Sequence, residues 1–375
     1  MTIGVLMASA TDTDFMMMAL TLAERGLGQV APNPAVGCVI VRDGVVVGRG
    51  WTQAGGRPHA ETVALAQAGD KARGATAYVT LEPCAHHGKT GPCAEALIEA
   101  GVTRVVGAVA DPDPRVGGRG FAMLEKAGIE VVEDVCMSRA VYLNQGFFLK
   151  VTEERPLVTL KIASSVDGRT ATKSGHSRWI TGDAARQRGH LLRATHDAIM
   201  IGSATAIVDD PILTCRLPGL EERSPLRIVA DGRLRLPLTS KLVRDASRFP
   251  VLVFTFPGGD AGRRKAFEDC GVELVDVPPV GDTGLMDMRE AMKLLADRGI
   301  TRVLVEGGAR LASSLMRAKL VDRVEWFRSS TILGGDGYPA IAALGVDKVD
   351  DAPQLLMTGQ IDLGADTLSS YVMRS

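Results

Sequence analysis

Apolar residues in the first half of the chain switch between the spacing of helices and that of strands. The run FMMMALTLA predicts a helix over 14–26, capped by Thr11 or Thr13. Two β-branched runs within 35–51 meet at Asp43-Gly44, a strong hairpin signal. Helical segments then alternate with strands, the helices at 60–68, 93–100 and 119–127 and the strands at 75–81, 104–109 and 129–135. This alternation predicts an α/β fold with a parallel sheet and with sites at the carboxyl ends of its strands.

The alternation is interrupted near 144–156 and then resumes. The charged TEERP segment at this point predicts an interdomain linker. The second half supplies further strand candidates, which are PLVTLKIASS, DAIMIGS, PLRIVADG, PVLVFTF, VELVDV, TRVLVEGG and DRVEWF. A chain of 375 residues is long for one domain, so we expect two, at 1–150 and 151–375.

Composition narrows the class of partner. The 43 basic and 44 acidic residues nearly cancel, and aromatic residues make up only 4% of the chain, which argues against nucleic acid and acidic membranes. Six dispersed cysteines indicate reduced thiols, hence a cytoplasmic protein. The apolar opening segment lacks a basic n-region, so we expect no signal peptide, and no apolar run reaches the roughly 18 residues of a membrane span.

Four residues have the chemistry of a catalytic metal site. His59, Cys84 and Cys93 offer one imidazole and two thiolates, the three protein ligands that a catalytic zinc takes. Glu61 is left over as a proton carrier. Residues i and i+2 do not share a helix face, so His59 and Glu61 converge only if a helix begins there, as Pro58 allows. Cys93 follows a Gly-Pro pair and is also expected to open a helix.

The spacing of the cysteines leaves alternatives open. Zinc deaminases show H-x-E followed by P-C-x-x-C, whereas eight residues separate Cys84 from Cys93 here. A structural zinc site, or buried thiols near a surface histidine, fits the same residues. Within the loop, His86 and His87 are rival ligands, which we interpret as loop or substrate contacts.

Three stretches together, HAET, LEPCAHHGKTGPC and APNPAVGCVIV, resemble the bacterial bifunctional riboflavin-biosynthesis deaminase and reductase. The resemblance extends over nearly the whole chain and includes the wide cysteine spacing. It implies a cytidine-deaminase-like three-layer domain followed by a dihydrofolate-reductase-like domain, with Zn²⁺ and NADPH as cofactors. Asn33, between two prolines, has donors and acceptors for a pyrimidine edge but could equally be a turn residue. The resemblance implies the substrate role.

The second half contains residues that are ambiguous when taken singly. Arg193 and Arg216 could each bind a phosphate through the planar guanidinium, or could be ordinary surface charges. Trp179 could be an apolar wall of the site or a core residue. Asp209 and Asp210 precede a proline, where helices end. The glycine pair at 307–308 opens a helix where a phosphate could bind.

The resemblance gives these residues roles. It assigns to the nicotinamide cofactor Ala163, Trp179, Thr205, Asp209, Gly308, Ala309, Arg310, Leu311, Ala312, Ser313 and Ser314. It assigns to the reductase substrate Lys161, Ser177, Arg193, Leu213, Arg216 and Glu306. The segment WFRSSTILGGDG departs from the family, which has a more apolar stretch before its L-G-G.

The implied reactions are removal of the C2 amino group from a diaminopyrimidinone ribosylamine phosphate and NADPH-dependent reduction of its ribosyl group. The partner is then a small phosphorylated pyrimidine, and we also expect a homo-oligomer. Three alternatives are a deaminase whose second domain is degenerate or repurposed, a nucleic-acid-editing deaminase, and a non-catalytic zinc scaffold. The near-neutral charge and scarce aromatics argue against nucleic-acid editing.

Overall fold

The computed structural model describes residues 10–86, 91–114 and 117–374. The chain divides into two compact units, and the division lies between Glu154 and Arg155, inside the TEERP segment. Each unit is described separately below. Across the described residues, no helix combines the length and the apolarity needed to cross a membrane.

The first unit is an α/β/α sandwich. Its helices are α1 (Ala10–Ala23), α2 (Ala60–Ala68), α3 (Cys93–Glu99), α4 (Arg119–Lys126) and α5 (Met137–Glu153). Its strands are β1 (Gly37–Arg42), β2 (Val45–Trp51), β3 (Thr76–Val79), β4 (Arg104–Gly107) and β5 (Glu130–Val132). Within the described residues the strand order is β2-β1-β3-β4-β5, with β1 antiparallel to both neighbours and β3, β4 and β5 parallel. One core lies under α2, α3 and α4, and another lies under α1 and α5.

Glycines let the helices of this unit approach the sheet closely. A Cβ at Gly50 would overlap the carbonyl oxygen of Ala60, and one at Gly48 would overlap that of Ala64. On the other face, a Cβ at Gly37 would overlap the carbonyl of Ala19 in α1. The missing side chains therefore set the distance between β2 and α2, the helix whose first turn contains Glu61.

Helix α5 was not predicted from the sequence. Its Met137–Glu153 span includes most of the 144–156 segment at which the alternation of strands and helices is interrupted. Phe147 and Phe148 pack against the core and Asn144 is buried, which gives the helix an inward face. The helix ends at Glu154, which has a left-handed backbone (φ 53°), shortly before Pro156.

The second unit is also three-layered. Its strands are β6 (Leu157–Ser164), β7 (Arg169–Ala171), β8 (Ala198–Gly202), β9 (Leu226–Ala230), β10 (Val251–Thr255), β11 (Glu273–Asp276), β12 (Arg302–Glu306), β13 (Arg323–Ser329), β14 (Tyr338–Pro339), β15 (Leu355–Leu363) and β16 (Asp366–Met373). Its helices are α6 (Asp183–Ala194), α7 (Ser203–Asp209), α8 (Lys241–Arg244), α9 (Ala261–Asp269), α10 (Met288–Asp297) and α11 (Ala309–Arg317).

The main sheet of this unit, over residues 155–374, has the order β11-β10-β9-β8-β12-β6-β13-β16-β15. The pairs from β11 to β13 are parallel, and β16 pairs antiparallel with both β13 and β15. Alternate strand residues face opposite cores, Met200 toward α10 and α11 and Ile201 toward α7, α8 and α9. The predicted α/β class is confirmed, whereas the closing hairpin of β15 and β16 was not predicted.

Candidate active sites

The predicted metal ligands meet where two helices begin. His59 is the N-cap of α2 with an extended backbone, Cys93 is the first residue of α3, and Cys84 follows β3. His59 Nδ1 lies 3.3 Å from Cys93 Sγ and 3.7 Å from Cys84 Sγ. All three ligand atoms lie within 4.8 Å of one another. The two helix starts expected from the sequence therefore converge on one point.

These distances fit a zinc ion. Tetrahedral zinc, with bonds of about 2.1 Å to nitrogen and about 2.3 Å to sulfur, holds a nitrogen and a sulfur about 3.6 Å apart. The set has one imidazole and two sulfurs, which leaves a fourth position for water.

The two thiols are electrostatically distinct. A hydrogen bond from the Cys93 thiol, supported by His59 and by the Cys93 backbone N–H at 3.3 Å, lowers the pKa of Cys84 to about 4. The same sharing raises the pKa of Cys93 well above its usual range. Neighbouring sulfurs that share one proton are arranged to receive a cation, which removes the repulsion between two thiolates.

Glu61 lies in the first turn of α2 and is 3% exposed. Burial is the main cause that raises the pKa of this carboxyl to about 7, and the nearby Cys84 adds to it. A carboxyl with such a pKa can both take and return a proton near neutrality. Its role as proton carrier stays a prediction.

Asn33 is half-buried, and its segment is held from two sides. A Cβ at Gly56 would overlap its side-chain amide, so the loop that leads to His59 packs against it. Asn144 of α5, missed from the sequence, binds the N–H and the C=O of Ala35, each at 2.9 Å. An amide side chain can pair with a backbone in this way because it has both a donor and an acceptor, and no local sequence signal marks a partner 109 positions away.

His86 and His87, the rival ligands, have different outcomes. His86 is exposed and does not join the group formed by His59, Cys84 and Cys93. His87 lies outside the described residues.

In the second unit, three of the predicted substrate residues form an ion cluster. Arg193 Nε and Nη2 donate to the two carboxylate oxygens of Glu306 at 2.7 and 2.9 Å, and Lys161 Nζ lies 3.8 Å from the same carboxylate. Burial alone would raise the pKa of Glu306, but Arg193 and Lys161 together lower it to about 2. The Arg193 fork is thus already engaged, which leaves the exposed Arg216 as the better-placed cation for a phosphate.

His190 joins this cluster and was missed. It lies on α6 one turn before Arg193, and its Nδ1 accepts the backbone N–H of Arg216 at 3.3 Å. Burial lowers the pKa of His190 to about 4, and Arg193 and Arg216 add to the effect. The helical spacing of His190 and Arg193 was the available signal.

Most of the predicted cofactor residues lie on or beside the loop after β12. Gly307 and Gly308 have left-handed backbones and lie against Thr205 of α7. Leu311, Ala312 and Ser313 are buried, and the Ser313 hydroxyl donates to two backbone carbonyls at 2.9 Å. Their side chains therefore face the core, and from this stretch the backbone, or the more accessible Ala309, Arg310 and Ser314, can face a ligand. A glycine-rich helix start of this kind suits a phosphate.

The remaining predicted residues lie on separate segments. Trp179 is 72% exposed, with the Arg186 guanidinium 4.5 Å from its ring centroid. Asp209 is the exposed last residue of α7, whereas Leu213 is buried. Ala163 and Ser177 are half-buried. In the segment WFRSSTILGGDG, which departs from the family pattern, Arg328 donates to Ser369 Oγ at 3.1 Å.

Comparison with known proteins assigns each unit to a family. Residues 9–109 match the cytidine and deoxycytidylate deaminase zinc-binding region, and residues 156–367 match the RibD C-terminal domain. The chain is 42% identical over 359 residues to riboflavin biosynthesis protein RibD of Escherichia coli, covering 92% of this chain and 94% of that protein. It is 39% identical to the Bacillus amyloliquefaciens protein of the same name, covering 94% of each.

Solved structures agree. Acinetobacter baumannii RibD has a TM-score of 0.85 at 39% identity, covering 97% of this chain and 99% of that one. A diaminohydroxyphosphoribosylaminopyrimidine deaminase/5-amino-6-(5-phosphoribosylamino)uracil reductase from Thermotoga maritima has a TM-score of 0.84 at 34% identity, with the same coverage. The predicted pair of a deaminase-like and a dihydrofolate-reductase-like domain is confirmed.

Proposed function

The chain belongs to the RibD family of riboflavin-biosynthesis proteins, and we propose that its two units perform two consecutive reactions on one phosphorylated pyrimidine. The first unit, in the predicted domain 1–150, deaminates 2,5-diamino-6-(5-phosphoribosylamino)pyrimidin-4-one at C2. The second unit, in the predicted domain 151–375, reduces the ribosyl group of the deaminated product to ribityl. The arrangement of His59, Cys84 and Cys93 beside the buried Glu61 supports this most directly.

In the deaminase, His59, Cys84 and Cys93 would hold the metal. Bound zinc would supply acidity, lowering the pKa of a water from about 16 toward 7. Glu61 takes the proton of the attacking water and returns it to the departing amine, so that the C2–N bond breaks as a C2–O bond forms and ammonia leaves. Asn33 orients the pyrimidine edge, because Gly56 and Asn144 fix its segment.

In the reductase, NADPH would supply a hydride to the ribose carbon attached to nitrogen, while the bond from that carbon to the ring oxygen breaks and the oxygen takes a proton to become a ribityl hydroxyl. The loop from Gly308 and the side chain of Thr205, which packs against it, would hold the dinucleotide. Arg216 contacts the substrate phosphate, and the cluster of Glu306, Arg193 and Lys161 lines the substrate region. The remaining cofactor residues would be Trp179, Asp209 and Ala163. The remaining substrate residues would be Ser177 and Leu213.

The Glu61→Gln variant tests the deaminase half. The amide cannot carry a proton, so ammonia release should fall by about 10²- to 10⁴-fold while zinc content stays at the wild-type level. The exposed Glu99→Gln serves as the matched control. Loss of zinc together with activity would assign Glu61 to the metal site instead, and undiminished activity would contradict the proposal.

Isotope transfer tests the reductase half. Deuteride from labelled NADPH should appear in the ribityl product when the deaminated intermediate is supplied to the whole chain. Absence of transfer would leave a deaminase with a degenerate or repurposed second unit. We further propose a cytoplasmic homo-oligomer without a nucleic-acid partner, which native mass spectrometry and deamination assays on single-stranded nucleic acid would check.

A further inference from the structure

The carboxylate of Glu82 lies between the segment that carries Cys84 and the loop that follows β4. It is 4% exposed. Its Oε2 accepts the backbone N–H of Asp111 at 3.0 Å and that of Gly118 at 2.9 Å, while Oε1 accepts the N–H of Gly120 at 2.7 Å. One side chain thus holds Asp111, Gly118 and Gly120 beside the start of the Pro83–Cys84 segment.

Further contacts fix the backbone around Glu82. Its own N–H donates to the carbonyl of Val109 at 2.9 Å, which continues the pairing of β3 with β4. A Cβ at Gly120 would overlap the carbonyl oxygen of Pro83, so the first turn of α4 packs directly on the residue before Cys84. On the other side, the Cys84 carbonyl accepts the N–H of Ala94 at 3.2 Å. Cys84 is therefore held between α4 and α3.

The chemistry of these contacts requires a carboxylate. An ionised carboxylate accepts hydrogen bonds at both oxygens, and bonds from backbone N–H groups to a charged acceptor are among the stronger ones in proteins. Glutamine has the same shape but turns one end into a donor, which would face an N–H. A buried donor without an acceptor costs its full desolvation, so the loop would move away from the amide.

We propose that Glu82 is a positioning residue of the deaminase site, which holds the Pro83–Cys84 segment against Asp111, Gly118 and Gly120 so that the Cys84 sulfur is presented at the metal position. The inference rests on the proposed deaminase function. Because residues that orient metal ligands set both affinity and rate, loosening Glu82 should weaken metal retention as well as turnover.

The test compares Glu82→Gln with Glu125→Gln, which makes the same chemical change at an exposed position of α4. Both proteins are loaded with one equivalent of zinc. Zinc transfer to a chromogenic chelator is followed, and kcat and KM for deamination are measured. Circular dichroism reports whether the chain is folded, and reduction of the deaminated intermediate reports whether the second unit is intact. Glu82→Gln should release zinc about 10-fold faster and lose about 10- to 100-fold in kcat, with reduction unchanged. Glu125→Gln should match the wild type.

The Gly120→Ala variant disturbs the same contact and leaves the Glu82 side chain in place, because the added Cβ would overlap the Pro83 carbonyl oxygen and lie 3.1 Å from Glu82 Oε1. It should also speed zinc release. Wild-type zinc release in Glu82→Gln would overturn the inference, even if its melting temperature fell. The inference would also be overturned if Glu82→Gln and Gly120→Ala both aggregated or both lost the reduction activity, because the contact would then be a requirement for folding. If the wild-type chain itself binds zinc without releasing ammonia, the proposed function fails instead.

Discussion

His190 shows how burial and neighbouring charge together set the state of one side chain. Its Nδ1 accepts the Arg216 backbone N–H, which requires this nitrogen to be unprotonated. Arg193 lies one turn further along the same helix and contacts Glu306. A second positive charge on His190 would face both arginines, and burial also disfavours it, so the pKa falls to about 4. The imidazole is therefore neutral at about pH 7.

This shift predicts a pH dependence of stability. A histidine in the unfolded chain titrates near 6.5, whereas His190 in the folded chain titrates near 4. Between these values the unfolded chain binds more protons, so the contribution of His190 to stability is complete above pH 6.5 and is lost as the pH falls toward 4. His190→Asn keeps an acceptor for Arg216 but does not titrate. Its urea midpoint should fall less than that of the wild type between pH 7 and pH 4.5.

The exposed His176→Asn is the control for this comparison and should retain the wild-type pH dependence. Equal slopes for His190→Asn and wild type would contradict the assignment. Tryptophan fluorescence can follow the unfolding, since Trp179 and Trp326 both lie in the second unit.

At the scale of elements, a buried ionic contact fastens α1 to the sheet of the first unit. Asp12 accepts Arg104 Nη1 and Nη2 at 2.8 and 3.0 Å and the Tyr78 hydroxyl at 2.9 Å. Burial is the largest cause that raises the pKa of Tyr78 to about 12, and the hydrogen bond to Asp12 is the next largest. The contact joins residues distant in sequence, and it holds the helix over the face of the sheet that Phe15 and Met16 cover.

Asp12→Asn should therefore destabilise the first unit. The amide can still accept one hydrogen bond, but it places a donor against the guanidinium of Arg104. Because Asp12 is 3% exposed, we expect a loss of about 2–3 kcal/mol, which urea unfolding would measure. Asp14→Asn changes an exposed carboxylate of the same helix and should cost less than about 0.5 kcal/mol. Equal losses in the two variants would contradict a specific role for the buried contact.

At the scale of the whole molecule, each unit contains its own hydrophobic cores and its own candidate site. The metal ligands all lie before Glu154, and the cluster of Lys161, Arg193 and Glu306 lies after it. The two proposed reactions therefore use separate sets of side chains, even though one product is the next substrate.

This separation predicts the effect of metal removal. Dialysis against dipicolinate should abolish ammonia release, since the acidity of the attacking water is lost, and added Zn²⁺ should restore it. Reduction of the supplied deaminated intermediate by NADPH should continue at the untreated rate. Parallel loss of both activities would show that the second unit also depends on the metal, and deamination by zinc-free protein would contradict a catalytic metal.

The sequence by itself determined the candidate metal ligands and most of the elements, though not α5 or the hairpin of β15 and β16, because these features depend on near neighbours in the chain. Apolar periodicity and the Asp43-Gly44 turn predicted the hairpin of β1 and β2, and helix starts at 60 and 93 predicted the convergence of His59 with Cys93. Turn chemistry and backbone hydrogen bonding act between near neighbours, so one sequence suffices to read them. The resemblance to a family added the residue roles in the second unit, which stay predictions.

Only the tertiary structure decided which partners those side chains meet. Asn144 binds Ala35 across 109 positions, Arg193 meets Glu306 across 113, and Glu82 gathers N–H groups from a loop that follows another strand. Such contacts depend on how strands and helices stack, and periodicity does not encode stacking. From the sequence alone, an arginine can be interpreted as a phosphate ligand or as a surface charge, and only the fold shows that Arg193 pairs with the carboxylate of Glu306. Chain topology is the physical reason that distant residues meet, as where Glu82 and Asp111 follow the carboxyl ends of the neighbouring parallel strands β3 and β4.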